Sequence, residues 1–446
     1  MPETFLTGGC VLPLGEQREA YDPGVVVFEE GRITFVGPAE SAPPATGAAI
    51  HDCSGCVVLP GLVNAHTHTG MTYLRGLLED LPSRDWFRRE SLAERRLTAE
   101  DVYWSALLGA YEMIRQGVTT LADRFSHMSV IAQALERAGL RAVVAPSLVD
   151  RDAPERQAQA LDVLRDYGAS GVGLIHAGLG PVGPDTCSTD LLRWTRVQAD
   201  HYGARIFIHV AQSRQELAEV ARRGFSGSVR YLDSLGVLGP DVVAAHCMYV
   251  EDEEIALLAA RGVYVAHCPS SNAKIEGRVA PIVALERAGV GVGLGTDCAA
   301  SNNGMDLFQE MRTAGLLHKV AAGDPTVMPV DHLLFLATRG AARCLGLEDA
   351  VGSLQVGKRA DIIIVRRGEP WLQPWPDPYA SLVYAARGLD VQDVWVDGRR
   401  LLAAGVLLAG DADEAVERAE RWAARQRQDW APESIPAPTA NNGVST

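Results

Sequence analysis

Basic residues are in short supply in this chain. There are 41 Lys and Arg against 56 Asp and Glu, a formal net charge of −15. Phosphate contacts need a basic face, so this balance points away from nucleic acid and from anionic membranes. No uninterrupted apolar run reaches the ~20 residues that a membrane-spanning helix needs. No basic-then-apolar leader follows Met1, which points away from secretion. Cysteine is sparse, 8 in 446 residues, too few to suggest a disulfide framework. Cys53-Ser-Gly-Cys56 has redox or zinc-knuckle spacing, yet no second pair completes a zinc site and no βαβ pattern flanks it. It reads as small core residues near a domain junction. A reducing, cytoplasmic location is the expectation. No internal repeat suggests a solenoid. What is present, 47% apolar and 22% charged residues, suits a globular chain, and its length exceeds what one small core organises.

The patterning changes twice along the chain. Up to Leu59 it reads as short strands with turns, such as Val25–Phe28 and Gly31–Gly37. Residues 351–410 read alike, with Ala360–Val365 and Val391–Val396 as strands and Asp397-Gly398 as a turn. Between these regions apolar runs alternate with helical segments: Val118–Asp123, Ala142–Ser147, Gly171–Leu179, Ile206–Val210, Val242–His246, Val263–His267 and Val290–Asp297. Alternation of that kind implies parallel βαβ units closing into a (β/α)₈ barrel. The expected fold class is therefore α/β. A barrel spans 60–350, and a small β-sandwich is assembled from 1–59 and 351–410. A charged amphipathic helix spans 411–431, and residues from Pro432 to 446 have the composition of a disordered tail.

Polar residues recur at the ends of the apolar runs. His66 and His68 follow Val57–Leu59 and stand two apart, so on an extended strand they face one way and can hold one metal ion between them. Asp123, His209, His246, His267 and Asp297 end or follow later runs. Active sites of barrels lie at the carboxyl ends of the strands. A lone histidine there is usually a hydrogen-bonded core or loop residue, but a series at equivalent positions points to a shared site. Imidazoles with one carboxylate suit zinc, with iron or manganese as alternatives. A divalent ion brings the pKa of bound water from about 16 to about 7, so hydroxide becomes available at neutral pH. Asp297 can ligate such an ion and take a proton from its water. His246 can polarise the accepting or leaving atom of a substrate.

These residues resemble the amidohydrolase superfamily, closest to the group of S-adenosylhomocysteine/methylthioadenosine deaminases and triazine hydrolases. The likeness rests on Pro60-Gly-Leu-Val-Asn-Ala-His-Thr-His-Thr-Gly-Met-Thr-Tyr-Leu-Arg-Gly76, Ile208-His209, Ala245-His246-Cys247 and His267-Cys-Pro-Ser-Ser-Asn-Ala-Lys274. Gly295-Thr-Asp297, Ala300-Ser-Asn-Asn303 and Gly357-Lys-Arg-Ala-Asp361 complete it. The resemblance implies a barrel with a β-sandwich and one divalent metal, its ligands His66, His68, His209 and Asp297. His246 would then contact substrate or bound water. No strand-end lysine stands in Gly171–Gly180 to bridge a second ion. A homodimer is compatible with the likeness alone.

The departures bear on substrate. The deaminases of this group carry a glutamate three residues past the fifth-strand His, where this chain has Gln212. An amide can orient a ring nitrogen or a carbonyl, but it cannot deliver a proton as a carboxylic acid does. Val182, in Gly180-Pro-Val-Gly183, stands where a purine-reading His is expected, and Pro146 where an arginine is. Glu94 aligns with a ribose-binding glutamate, or is an exposed carboxylate of a helix. Asp123-Arg-Phe-Ser-His127 offers Asp123 and His127 as substrate contacts, His127 as a proton donor and Arg124 as an anion anchor, or else as satisfied loop residues. Cys247 and Cys268 read as packing, His176 as a core histidine, and Cys298 as a residue that narrows the pocket.

The expected function is a metal-dependent hydrolase acting on a C–N or other C–X bond of a small nitrogen heterocycle. Aminohydrolysis leads, with Asp297 as base, His246 as electrophilic contact and Gln212 as orienting group. Adenosine-type nucleosides are not the expected substrates. Cyclic amide or imide hydrolysis and triazine-type hydrolysis are the alternatives, followed by a non-catalytic protein that retains the metal site.

Overall fold

The computed structural model describes residues 3–169 and 173–429. The start of the Gly171–Leu179 run and the tail from Pro432 lie outside the described residues. Five strands come first: β1 (Thr4–Val11), β2 (Tyr21–Glu29), β3 (Arg32–Pro38), β4 (Ala49–Asp52) and β5 (Cys56–Pro60). The parallel strands follow as β6 (Leu62–Thr67), β7 (Val118–Phe125), β8 (Arg141–Leu148), the short pair β9 (Ile175–Ala177) and β10 (Gly180–Pro181), β11 (Ile206–Val210), β12 (Val242–His246), β13 (Tyr264–His267) and β14 (Gly291–Leu294). The chain returns with β15 (Ile362–Arg366), β16 (Val391–Val396), β17 (Arg399–Ala403) and β18 (Val406–Leu407).

The fold is α/β, a (β/α)₈ barrel with a β-domain built from both chain ends. The strands from β6 to β14 pair in parallel, and the bridges Leu179↔Ile206 and Thr67↔Asp297 close the ring. Small side chains and one phenylalanine fill the barrel: Val63, Ala65, Ala122, Val143, Ala145, Phe207, Val243, Ala245 and Ala266 lie in one buried cluster. Several stand two apart, as the period of a strand requires for one face.

In the second sheet the order is β18-β17-β16-β15-β5-β1-β2-β3, so β15 from the far end of the chain pairs antiparallel with β5, Ile362 opposite Pro60. The alternation of β15 divides its side chains. Ile362 and Ile364 pack into the β-domain with Leu6, Val26 and Trp395, while Ile363 and Val365 join the core around the barrel. Arg141, at the amino end of β8, donates to Asp361 through Nε and Nη2, both at 3.0 Å, and both side chains are buried. This forked pair ties the bottom of the barrel to the β-domain.

Two helices follow β6: α1 (Ser83–Glu94) and α2 (Ala99–Arg115), the latter started by a Thr98–Asp101 capping box. The helix Ala412–Asp429 packs on α2. It buries Ala415 and Trp422, the latter 5.4 Å between ring centres from Tyr73. No helix among the described residues is long and apolar enough to cross a membrane.

Candidate functional site

The site begins with an irregularity in the first barrel strand. Along β6, Asn64 pairs with Leu121 but Thr67 pairs with Asp123, three steps against two. The extra residue is a bulge, which turns a strand and re-aims its side chains. Val63 and Ala65 face the barrel interior, and beyond the bulge His66 and His68 face it as well. On β11 the ordinary period suffices: Phe207 is interior, so His209 two residues on is too. Four non-glycine residues near the strand ends hold left-handed backbone: Ala211 at φ 50°, His246 at 74°, Cys247 at 48° and Asp297 at 60°. Such conformations persist only where surrounding structure enforces them, and they cluster at functional sites.

Nitrogens of His66, His68 and His209 lie within 4.8 Å of one another. His66 and His209 approach through their Nε2 atoms at 3.3 Å. Oδ1 of Asp297 stands 3.3 Å from Nε2 of His68 and 3.8 Å from Nε2 of His66. Burial, and then the neighbouring His68, hold His66 well below the ordinary histidine range; burial, then Arg124, do the same for His209. Burial opposes the charge on Asp297, but the hydrogen bond and charge of His68, with His246 and His66, hold its carboxyl well below the usual range. Three converging nitrogens, two of them on rings kept neutral, and one ionised carboxylate are the protonation states a divalent cation requires. The donor set fits such an ion.

The groups around this floor are fixed by hydrogen bonds. His68 Nδ1 meets the Arg124 carbonyl, which places its proton on Nδ1 and frees Nε2 to ligate. Asp297 Oδ2 accepts from Ser271 Oγ at 2.5 Å and Ser301 Oγ at 3.1 Å, and its Oδ1 accepts from the Cys298 amide at 2.8 Å. His246 Nδ1 donates to Asn272 Oδ1 at 2.8 Å, so its Nε2 is the atom left for a substrate or water. Its ring centre lies 5.6 Å from that of His66 and 5.3 Å from that of His209.

Above the floor opens a cavity of about 630 Å³. His246, Gln212 and Glu94 line it, as do Val182 and Cys298. Glu216 holds the backbone behind Gln212, accepting from the amides of Ala211 at 2.7 Å and Gln212 at 2.8 Å. Glu94 accepts from Ser126 Oγ at 3.1 Å.

Two expected substrate contacts lie elsewhere. Ala122 faces the barrel interior, so Asp123 beside it turns away, and its Oδ2 accepts from the amide of Thr69 at 3.0 Å and from the Thr69 hydroxyl. It fixes the segment after the histidine pair and is not on the cavity wall. His127 is exposed at the head of the helix Met128–Ala138, also off the wall. Strand parity instead brings Arg124 into the cavity, buried, donating to Ser147 Oγ at 2.7 Å. His176 is buried in β9, and Cys247 and Cys268 are buried in packing positions. His267 pairs with His318, Nε2 to Nε2 at 2.9 Å, away from the cavity. All eight cysteines are free, and Cys53 is buried.

Sequence reasoning passed over two acids of the wall, Glu90 and Asp185. One oxygen of Asp185 is buried without a partner. Glu90 precedes Glu94 by one helical turn, a spacing readable in the sequence once Glu94 is placed on the wall.

Comparison with known proteins agrees with this geometry. Residues 57–401 match the family described as "Amidohydrolase family". A 5-methylthioadenosine/S-adenosylhomocysteine deaminase of Moorella thermoacetica is 42% identical over 395 residues, covering 88% of this chain and 92% of the relative. An adenosine deaminase from Xanthomonas campestris with bound zinc superposes with a TM-score of 0.91 at 32% identity, over 95% of this chain and 98% of that one. An atrazine chlorohydrolase from Arthrobacter aurescens, complexed with zinc, shares the fold with a TM-score of 0.88 at 23% identity, over 94% and 99% of the two chains.

Proposed function

From the premise that this chain belongs to the amidohydrolase family, a hydrolase acting on carbon–nitrogen bonds other than peptide bonds, we propose that it is a zinc-dependent aminohydrolase of a small aminated nitrogen heterocycle. The observation that carries this reading is the donor set of His66, His68, His209 and Asp297 at the floor of one cavity, with His246 beside it. Those four residues would hold the ion, which when bound supplies a hydroxide nucleophile at neutral pH and polarises the atom attacked.

The remaining chemistry belongs to the chain. Asp297 is ionised and points one oxygen at the histidines, so it takes the proton of the attacking water. His246 presents Nε2 to the group developing at the reacting carbon. Gln212 can accept from or donate to the heterocycle edge, which fixes the ring without transferring a proton.

Adenosine-type nucleosides are not the preferred substrates in this proposal. Gln212 and Val182 both line the cavity, so the glutamate and the histidine that the family resemblance leads one to expect at these two positions are absent. The test is product analysis with zinc-loaded protein on aminopurines, aminopyrimidines, pterins, triazines and cyclic imides. Ammonia with an amine-to-oxo mass change supports the proposal. A gain of one water without ammonia means ring opening instead. Turnover of methylthioadenosine or S-adenosylhomocysteine as fast as the best panel member refutes the substrate preference.

A further inference from the structure

Aminohydrolysis needs a proton donor on the substrate side of the cavity, and Gln212 cannot be one. A carboxyl group is nonetheless on that wall. Helix α1 presents Trp86, Glu90 and Glu94 at four-residue intervals, so they lie on one face, and all three line the cavity. Trp86 is buried and anchors that face. Glu94 is engaged by the Ser126 hydroxyl. Glu90 is half-buried, and no hydrogen bond or ion pair holds its carboxyl among the described residues. An acid inside a catalytic cavity, fixed on a helix and free of partners, is arranged to meet a ligand.

We propose that Glu90 is the general acid of the reaction, delivering from α1 the proton that Gln212 cannot deliver from the end of β11. The proposal rests on the aminohydrolase reading above. The carboxyl proton of Glu90 passes to the ring nitrogen as the water oxygen bonds to the amino-bearing carbon and Asp297 takes the water proton. Asp297 then gives that proton to the amine, the carbon–nitrogen bond breaks, and ammonia leaves. Glu90 regains its proton from the new hydroxyl, which leaves the oxo product and both carboxyls as they began.

The surroundings of Glu90 favour its protonated form. Removal from water and the charge of Glu94 on its own helix push its carboxyl up to about 8; Asp297 across the cavity adds to this, while Arg124 from β7 and Arg95 oppose it. An acid must hold its proton to act, so the rate is full below this value and falls as the pH rises through it.

The experiment compares metal-loaded wild type, Glu90→Gln, Asp185→Asn and the double variant Glu90→Gln/Gln212→Glu on the best aminated substrate of the panel. It reads kcat, KM, the pH–rate profile, bound metal and the melting curve. The expected result for Glu90→Gln is a loss in kcat of about 10²–10⁴-fold. KM changes by no more than about threefold, metal and melting stay as in the wild type, and the alkaline limb near pH 8 is lost. Glutamate at 212 then restores at least about tenfold of kcat, because it returns a carboxylic acid to the cavity from the end of β11. Four results overturn the proposal: kcat retained in Glu90→Gln, a loss confined to KM, an unchanged alkaline limb, or a kcat loss that follows Asp185→Asn instead. Absence of ammonia from the wild type on the whole panel is a different failure, that of the aminohydrolase reading, and takes this inference with it.

Discussion

The two ends of the barrel treat buried charge in opposite ways. At the amino end Arg141 is forked onto Asp361, and Asp397 Oδ1 stands 3.5 Å from the same Nη2. At the carboxyl end, among the described residues, Arg124 is buried with only the neutral Ser147 hydroxyl on its guanidinium, Asp185 keeps an oxygen without a partner, and the Glu90 carboxyl has no hydrogen bond or ion pair. An unpaired buried charge is costly, so it persists only where something else requires it. The closed end joins two domains; the open end is shaped for a molecule that completes it.

Breaking the floor of the open end should have the largest effect. Asp297→Asn and His209→Ala are expected to lose bound metal and more than about 10³-fold of kcat while the fold survives, checked by metal analysis, circular dichroism and ammonia release. A chelator should reproduce the loss, and added zinc should reverse it.

The closed end should respond in stability instead of rate. Asp361→Asn leaves buried Arg141 with only the more distant Asp397 as a counter-charge among the described residues and is expected to cost about 3–5 kcal/mol, read from denaturant midpoints. The specific activity of the molecules that remain folded should stay at the wild-type value. A fall in kcat without a fall in stability would erase the distinction between the two ends.

Smaller changes sharpen the picture within the open end. Asn272→Ala removes the acceptor that fixes the His246 proton on Nδ1, with an expected loss of about 10–100-fold in kcat. Substrate binding and metal content should change little. Gln212→Glu should have the mildest effect, a gain of about three- to tenfold on adenosine-type nucleosides, because it adds a second proton donor beside the one proposed at Glu90. Abolition of the native activity by that change would show that the amide itself is required.

Much of the frame was legible beforehand because strands of a parallel barrel are apolar and end abruptly. Ile206–Val210 and Val242–His246 are strands over the very residues that the apolar runs delimit. The fourth position was less readable: two short strands, Ile175–Ala177 and Gly180–Pro181, share it, and a break of that kind leaves no periodic signal. Asp123 shows the limit of reasoning from strand ends alone. It ends an apolar run as His209 does, yet the inward face of Ala122 sends it the other way.

The sequence by itself pointed to the barrel and to a β-domain built from both chain ends, which follow from apolar period, a local property. His66, His68, His209 and Asp297 were singled out from the wider series of strand-end residues by the resemblance to the amidohydrolase superfamily. Only the tertiary structure decided which charges are satisfied. The β6 bulge aims the histidine pair, strand parity exchanges Asp123 for Arg124 on the wall, and the packing of α1 brings Glu90 from a helical run of charges onto the cavity lining. Partnership between charges depends on contacts between segments far apart in the chain, and no local pattern encodes them.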